Sequence, residues 1–144
     1  MLRSIALASL CFALAACGGG SDAPERSTEE RLAAPPNLET GRRAFRACAV
    51  CHEIADGAPH RVGPNLYGVI GAEAASLPGF AYSRALRESG VVWTDEALDA
   101  WIADPAAYIR GTRMAFQGEP DEADRRDIIA YMKSVSASFD PRPD

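Results

Sequence analysis

The sequence predicts a helical domain, because apolar residues recur at helical spacing in three separate stretches. The first stretch follows Asn37, the second covers residues 95–103 and the third covers residues 121–135. Residues 53–80 lie between the first two and are dense in glycine and proline, which predicts a loop. A strand–helix–strand pattern is not found. We therefore expect helices joined by long loops.

The bulk properties fit one small globular domain with accessory segments. The chain has 144 residues, of which 47% are hydrophobic and 24% are charged. Its formal net charge of -5 argues against non-specific nucleic-acid binding. Two of its four cysteines lie near the N-terminus, so too few remain for a disulfide scaffold.

Residues 1–16 are typical of an export signal. Arg3 supplies the positive charge, and the apolar run that follows is too short to span a bilayer, which takes about 20 residues. The run ends Leu-Ala-Ala-Cys at positions 14–17, which resembles the lipobox of bacterial lipoproteins. That resemblance implies cleavage before Cys17 and lipid attachment to Cys17. The alternative is an ordinary cleavage site that leaves Cys17 as a free thiol.

Residues 17–37 are expected to be the lipidated N-terminus and a flexible linker, because glycine, serine and proline dominate with little apolar periodicity. About 19 flexible residues would span roughly 25 Å. A helix over residues 27–34 is the alternative. The folded domain, with a short C-terminal tail, is expected at residues 38–144.

Four helices are predicted from caps and spacing. Asn37 is a candidate cap for the first helix, in which Gly41 and Phe45 lie one turn apart on one face. Ser83 is a candidate cap for a short helix over Tyr82–Glu88. Thr94 begins a helix over residues 95–103 that Pro105 ends, and Asp121 caps the last helix. One turn of helix around residues 66–67 is also allowed.

The stretch Cys48-x-x-Cys51-His52 is the attachment signature for c-type haem. Two cysteines three apart lie on the same side of a helical turn, so both thiols can bond to one porphyrin. His52 then comes under the iron as an axial ligand. A zinc site, a thioredoxin-like redox pair and a structural disulfide are the alternatives.

The opposite side of the iron needs a second ligand or stays open. Met1 leaves with the leader and Met132 falls on the apolar face of the last helix, which leaves Met114, on a loop beside Gly111. The alternative is a core methionine and an open iron. The carbonyl of Pro64 could accept a hydrogen bond from the His52 ring. His60 is interpreted as a hydrogen-bonded staple of its loop, with iron ligation as the alternative.

The motifs occur in an order that resembles a class I c-type cytochrome, of the mitochondrial and bacterial electron-carrier kind. The resemblance covers Leu38 to Ser136. Its pieces are Gly41-x-x-x-Phe45, Cys48-x-x-Cys51-His52, the segment 60–66 (HRVGPNL), Gly79-Phe80-x-Tyr82-Ser83, Trp93, Asp104-Pro105, the segment 111–116 (GTRMAF) and the segment 130–133 (AYMK).

The resemblance implies an all-α, small class I cytochrome c fold. Its N- and C-terminal helices would cross at Gly41 and Phe45 against Tyr131, and its loops would wrap one covalent haem c. His52 and Met114 would be the axial ligands, with Pro64 orienting His52. The other implied haem-pocket residues are Tyr82, Trp93 and Thr112, which would bond a propionate. Trp101, on the apolar face of its helix, is expected in the haem pocket, with plain core as the alternative. Two residues depart from the family pattern. Ala72 stands where the family often has arginine, so one propionate partner is missing, and Arg110 replaces a frequent proline, so a looser Met114 loop is expected.

The resulting expectation is a monomeric one-electron carrier, not an enzyme, that is lipid-anchored on the periplasmic side of a bacterial membrane. The expected donor is a quinol-oxidising cytochrome bc complex, and the expected acceptor is a terminal oxidase or a photosynthetic reaction centre. Alternatives are a haem enzyme or gas sensor with an open distal site, and an electron-entry domain of a larger complex. Partner docking is expected at Arg43, Arg46, Arg61 and Arg113.

Overall fold

The computed structural model describes residues 26–136. The expected leader, Cys17 and the tail after residue 136 lie outside that range. The described part is helical, and its β structure is a single isolated bridge between Glu73 and Val92. The seven helices of this part are α1 (Thr28–Leu32), α2 (Leu38–Ala44), α3 (Arg46–Ala49), α4 (Arg84–Arg87), α5 (Asp95–Ala103), α6 (Pro105–Tyr108) and α7 (Glu122–Val135). The prediction of an all-α fold is therefore confirmed.

The four predicted caps are present. Each cap side chain accepts a hydrogen bond from a backbone N–H two or three residues into its helix, which satisfies a donor that the helix itself cannot pair. The cap-to-donor pairs are Asn37–Thr40 at 3.0 Å, Ser83–Leu86 at 3.1 Å, Thr94–Ala97 at 3.2 Å and Asp121–Asp124 at 3.0 Å. Helix α4 begins at Arg84, two residues later than predicted, because Ser83 is its extended cap.

Helix α6 was not predicted. Pro105 does end α5, because Asp104 before it is extended, with φ −158° and ψ 91°. The same proline then occupies the first turn of α6, and Asp104 accepts a hydrogen bond from the N–H of Ala107 at 3.0 Å. Proline is well suited to a first helical turn, so one residue both stops and starts a helix.

The turn of helix that the sequence allowed at residues 66–67 is not formed, and the predicted loop continues through these residues. Asn65 organises this loop instead, and its side-chain amide donates to the carbonyls of Ala55 at 2.8 Å and Ala58 at 3.0 Å. Its side-chain oxygen accepts from the N–H of Tyr67 at 3.0 Å. The side chain thus supplies the bonds that a helical backbone would otherwise make.

Helices α2 and α7 cross at Gly41, as predicted. A Cβ at Gly41 would overlap the backbone carbonyl of Asp127 and lie 3.0 Å from the Cβ of Tyr131. Beside this contact the rings of Phe45 and Tyr131 pack with centroids 5.4 Å apart. The absence of a side chain lets the two backbones touch, which brings the two ends of the domain together.

The flexible-linker prediction is wrong for residues 28–32, where the helical alternative holds. Ser27 and Glu30 form a capping box at the start of α1, with each side chain bonding the other residue's backbone N–H. Helix α1 packs against the start of α7, and its Thr28 hydroxyl donates to Asp121 at 2.7 Å. The ordered structure therefore begins before residue 38.

The core lies between α5, α7 and the loops that connect to these two helices. Its buried members include Leu98, Trp101, Ile128, Ile129 and Met132. Within residues 26–136 none of the helices combines the length and apolar character needed to cross a bilayer.

The Gly41 contact predicts a large stability cost for Gly41→Ala. Overpacking against a backbone carbonyl cannot be relieved by a rotamer change, so we expect a loss of about 1–3 kcal/mol in the free energy of unfolding, measured by denaturant titration. Arg42→Ala in the same helix is the control, because it removes an exposed ion pair with Glu39, which contributes little to stability. Equal losses in the two variants would contradict the crossing geometry.

Candidate functional site

The two cysteines and the histidine of the signature lie where α3 ends. The hydrogen bonds Ala49 N–H to Phe45 O at 2.9 Å and His52 N–H to Cys48 O at 3.0 Å continue the helical path of α2. Cys48 and Cys51 are half-buried free thiols on this turn. The two thiols and the imidazole therefore lie together on one short, ordered segment, as the sequence spacing predicted.

The carbonyl of Pro64 fixes the tautomer of His52. Nδ1 of His52 lies 2.7 Å from that oxygen, and a carbonyl can only accept, so Nδ1 carries the proton. Burial lowers the pKa of His52, against the opposing effect of the Pro64 carbonyl, so the ring is neutral at pH 7. The lone pair of Nε2 is then free to bind a metal.

Gly63 leaves the space that the His52 ring occupies. A Cβ at this position would overlap three atoms of the imidazole, and the Gly63 N–H donates to the carbonyl of Cys51 at 2.8 Å. The loop therefore lies directly against the signature. Gly63 was part of the quoted family pattern, but its contact with the ring has no local sequence signal.

The state of Cys48 argues against one alternative for the signature. Burial raises the pKa of the Cys48 thiol to about 11, so it is protonated at neutral pH. A thioredoxin-like redox pair needs an easily formed thiolate. The apolar surroundings of Cys48 favour the neutral thiol instead.

Met114 lies on the loop between α6 and α7 and packs, half-buried, against the same core as Cys48, Trp93 and Trp101. Its N–H donates to the hydroxyl of Thr112 at 3.2 Å. Gly111, with φ 90°, supplies the left-handed turn before it. The structure thus brings the predicted sulfur ligand and the first attachment cysteine into one apolar cluster.

The base of the Met114 loop is held by a buried arginine that sequence reasoning missed. Arg125 on α7 bonds the carboxylate of Asp99 at 2.7 Å and the carbonyls of Glu119 and Pro120 at 3.1 and 2.9 Å. Glu119 also donates its N–H to the carbonyl of Ile102 at 2.9 Å. Asp99 lies 26 residues from Arg125 in the sequence, so only the fold reveals this pair.

The predicted pocket aromatics are buried, although their roles toward a propionate stay predictions. Trp93 and Trp101 pack with ring centroids 5.4 Å apart, and Tyr82 packs on Phe80 at 4.9 Å. Burial raises the pKa of Tyr82, so its hydroxyl stays protonated and can donate.

His60 is held at both ring nitrogens. Nε2 donates to the carbonyl of Pro78 at 2.9 Å, and Nδ1 accepts from the N–H of Asn65 at 3.0 Å. This is the arrangement that the loop-staple interpretation expected. With both nitrogens engaged, His60 offers no lone pair to a metal.

The four candidate docking arginines are all exposed. Arg61 pairs with Glu53 at 3.4 Å and donates to the carbonyl of Ala49 at 2.9 Å, and Arg113 donates to the carbonyl of Ala81. Arg43 lies 3.3 Å from the Thr40 hydroxyl. The four arginines therefore differ in how far a neighbouring carboxylate neutralises their charge, and within residues 26–136 Arg61 is the one that forms such a pair.

The residues fit a covalent haem. Two free thiols lie three residues apart on one turn, an imidazole beside them has a free Nε2, and a glycine leaves room for its ring. The thioether of Met114 packs against the same apolar core as Cys48.

The comparisons with known proteins agree. The family model for cytochrome c matches residues 38–136, the range that the resemblance covered. A cytochrome c homolog of Bradyrhizobium diazoefficiens is 40% identical over 87% of this chain and 68% of its own length. Cytochrome c2 of Blastochloris viridis is 44% identical over 73% of this chain and 83% of its own.

A solved structure, cytochrome cH from Methylobacterium extorquens, superposes with a TM-score of 0.65 at 40% identity. The match covers 68% of this chain and 98% of that one. With the family model and these relatives in agreement, the chain belongs to the cytochrome c family and carries one covalently bound haem c for electron transfer.

Proposed function

We propose that the chain is a one-electron carrier of a periplasmic respiratory or photosynthetic chain, anchored to a bacterial membrane through lipid on Cys17. In this proposal Cys48 and Cys51 hold the haem covalently, and His52 and Met114 are its axial ligands. The observation that carries the proposal is the packing of Met114 against the same apolar core as Cys48, while Pro64 frees Nε2 of His52.

The haem supplies a ferric–ferrous couple of one electron. Two neutral groups, the imidazole of His52 and the thioether of Met114, would hold the iron and would leave no place for a substrate. A thioether also favours the ferrous state and raises the reduction potential relative to harder ligands. Burial of Trp93, Trp101 and Ile102 keeps water from this core and acts in the same direction.

The stiffness of the Met114 loop bears on this function. Arg110 replaces a proline that is frequent in the family, which led us to expect a looser loop. The bonds from Arg125 to the carbonyls of Glu119 and Pro120 and the bond from Arg113 to Ala81 restrain both sides of Met114. These contacts support a methionine that stays in place in both oxidation states.

We propose the same physiological partners as the sequence led us to expect. The donor would be a quinol-oxidising cytochrome bc complex, and the acceptor would be a terminal oxidase or a photosynthetic reaction centre. Relatives named cytochrome c2 support redox partners in general.

Met114→Ala is expected to leave the haem attached but open one axial position. The weak long-wavelength sulfur-to-iron absorption of the ferric protein should disappear and high-spin features should appear. Met132→Leu is the control, because Met132 is a buried residue of α7 and should leave the spectrum unchanged. A sulfur band that survives in Met114→Ala would show that another ligand binds the iron.

Cys17→Ser is expected to move the protein from the membrane fraction to the soluble periplasmic fraction with the haem spectrum unchanged. The apolar run before Cys17 is too short to span a bilayer, so lipid would be the only anchor in this segment. Cys11→Ser, a change inside the expected leader, serves as the control and should stay on the membrane. Membrane association of Cys17→Ser at high salt would refute the anchor.

Arg46→Glu is expected to slow electron transfer to a soluble acidic acceptor domain and to flatten its salt dependence. Opposite charges steer encounter and raise the on-rate more than the affinity. Arg113→Glu should act in the same way. Arg26→Glu, which makes the same change of net charge near α1, is the control. If all three lipid-free variants behave alike, the docking face lies elsewhere.

A further inference from the structure

Helix α1 is attached to the domain by charge and hydrogen bonds. Arg31 contacts three carboxylates of the α7 start: Asp124 at 2.5 Å, Asp127 at 3.4 Å and Asp121 at 3.5 Å. Its side chain is 19% exposed and that of Asp127 is 1% exposed, so these pairs are poorly screened by solvent. None of the residues of α1 is buried, so the attachment is polar rather than hydrophobic.

The segment after α1 is held as well. The guanidinium of Arg126 donates to the carbonyls of Leu32 at 3.2 Å and Ala34 at 2.9 Å. The backbone N–H of Asn37 donates to Asp127 at 3.1 Å. The chain is thus fixed continuously from α1 to the cap of α2.

These contacts lie at one end of the molecule. They involve the start of α2 and the start of α7, whereas the haem signature lies at the end of α3. The 14 residues from Asn37 to Val50 follow a nearly continuous helical path, so about 20 Å separates the two ends at 1.5 Å per residue. Helix α1 also lies outside the residues that the family model matches.

We propose that α1 is a clasp that fixes where the membrane tether leaves the domain, so that the α1 end faces the bilayer and the Cys48–His52 end points away from it. The inference rests on the proposed anchor at Cys17. With α1 docked, the ten residues from Cys17 to Ser27 reach at most about 35 Å, against about 70 Å if the chain were free to Asn37. The clasp therefore halves the maximum length of the free tether, and the shorter tether favours one orientation of the domain relative to the bilayer.

The charges at the clasped end fit a surface held near the bilayer without adhering to it. Three exposed carboxylates, Glu29, Glu30 and Glu122, outnumber the exposed cation Arg26 there, and carboxylates are repelled by anionic headgroups. Arg46 lies toward the other end, where a partner could reach it. The orientation would therefore come from the clasp and not from adsorption.

The test uses the haem-loaded chain that begins at Cys17, labelled with ¹⁵N and kept ferrous. Cys17 is then the free thiol, since Cys48 and Cys51 carry the haem, and it is coupled to a maleimide lipid in phosphatidylcholine nanodiscs. A gadolinium-chelating lipid broadens the amide signals that come near the bilayer. We expect signal loss at residues 28–32 and 121–124 and little loss at residues 49–51 and 61–63.

Arg31→Ala combined with Thr28→Val removes the side-chain bonds from α1 to α7, so it should undock α1 and abolish the difference between the two ends. Asp127 keeps Arg126 and the Asn37 N–H as partners in this variant, so the fold should persist, and unchanged amide shifts in α5 would check it. Arg42→Ala is the control, since within residues 26–136 Arg42 pairs with the exposed Glu39, and this variant should behave like the wild type.

Equal broadening at both ends of the wild type would overturn the proposal, as would a Thr28→Val, Arg31→Ala double variant that keeps the difference. The proposal would also be overturned if Arg42→Ala lost the difference in broadening, because removal of any arginine would then be enough to change the orientation. The lipid is attached chemically, so a failure of lipidation in cells would refute the proposed anchor alone and leave this result standing.

Discussion

The close contact of two helix backbones at Gly41 is the constraint on which the rest of the structure depends. It joins α2 from the start of the domain to α7 from its end, and the Phe45–Tyr131 ring contact extends it. Because α2 leads through Phe45 into the cysteine pair, the crossing also sets where the signature lies relative to α7. The intervening loops need only connect the two fixed ends, which explains how a chain with long irregular segments has a defined core.

Buried charges supply a second level of order, and each one is paired. Asp127 is surrounded by Arg31, Arg126 and the Asn37 N–H, while Arg125 joins Asp99 to the base of the Met114 loop. An unpaired charge at either place would cost several kcal/mol, since desolvation would not be repaid. These pairs tie segments that the apolar core alone would leave free to slide, because hydrophobic contact has no preferred direction.

Local chemistry explains which features could be predicted from the sequence. Asn37, Ser83, Thr94 and Asp121 act within their own helices, so their roles are visible in a few neighbouring residues. The docking of α1 depends on carboxylates about 90 residues away, and no local pattern marks it. The signature predicted the cofactor from spacing alone, but the hold of Arg125 on the Met114 loop required the fold.

The sharing of Asp127 has a consequence for how such a protein could arise. Two of its partners, Arg126 and Asn37, lie at or inside the edge of the family domain, and only Arg31 comes from the preceding extension. The extension can therefore be gained or lost without leaving a buried carboxylate unpaired. At the level of the gene, a freely diffusing carrier and a surface-bound one would be separated by a short modular addition, with no compensating change in the core.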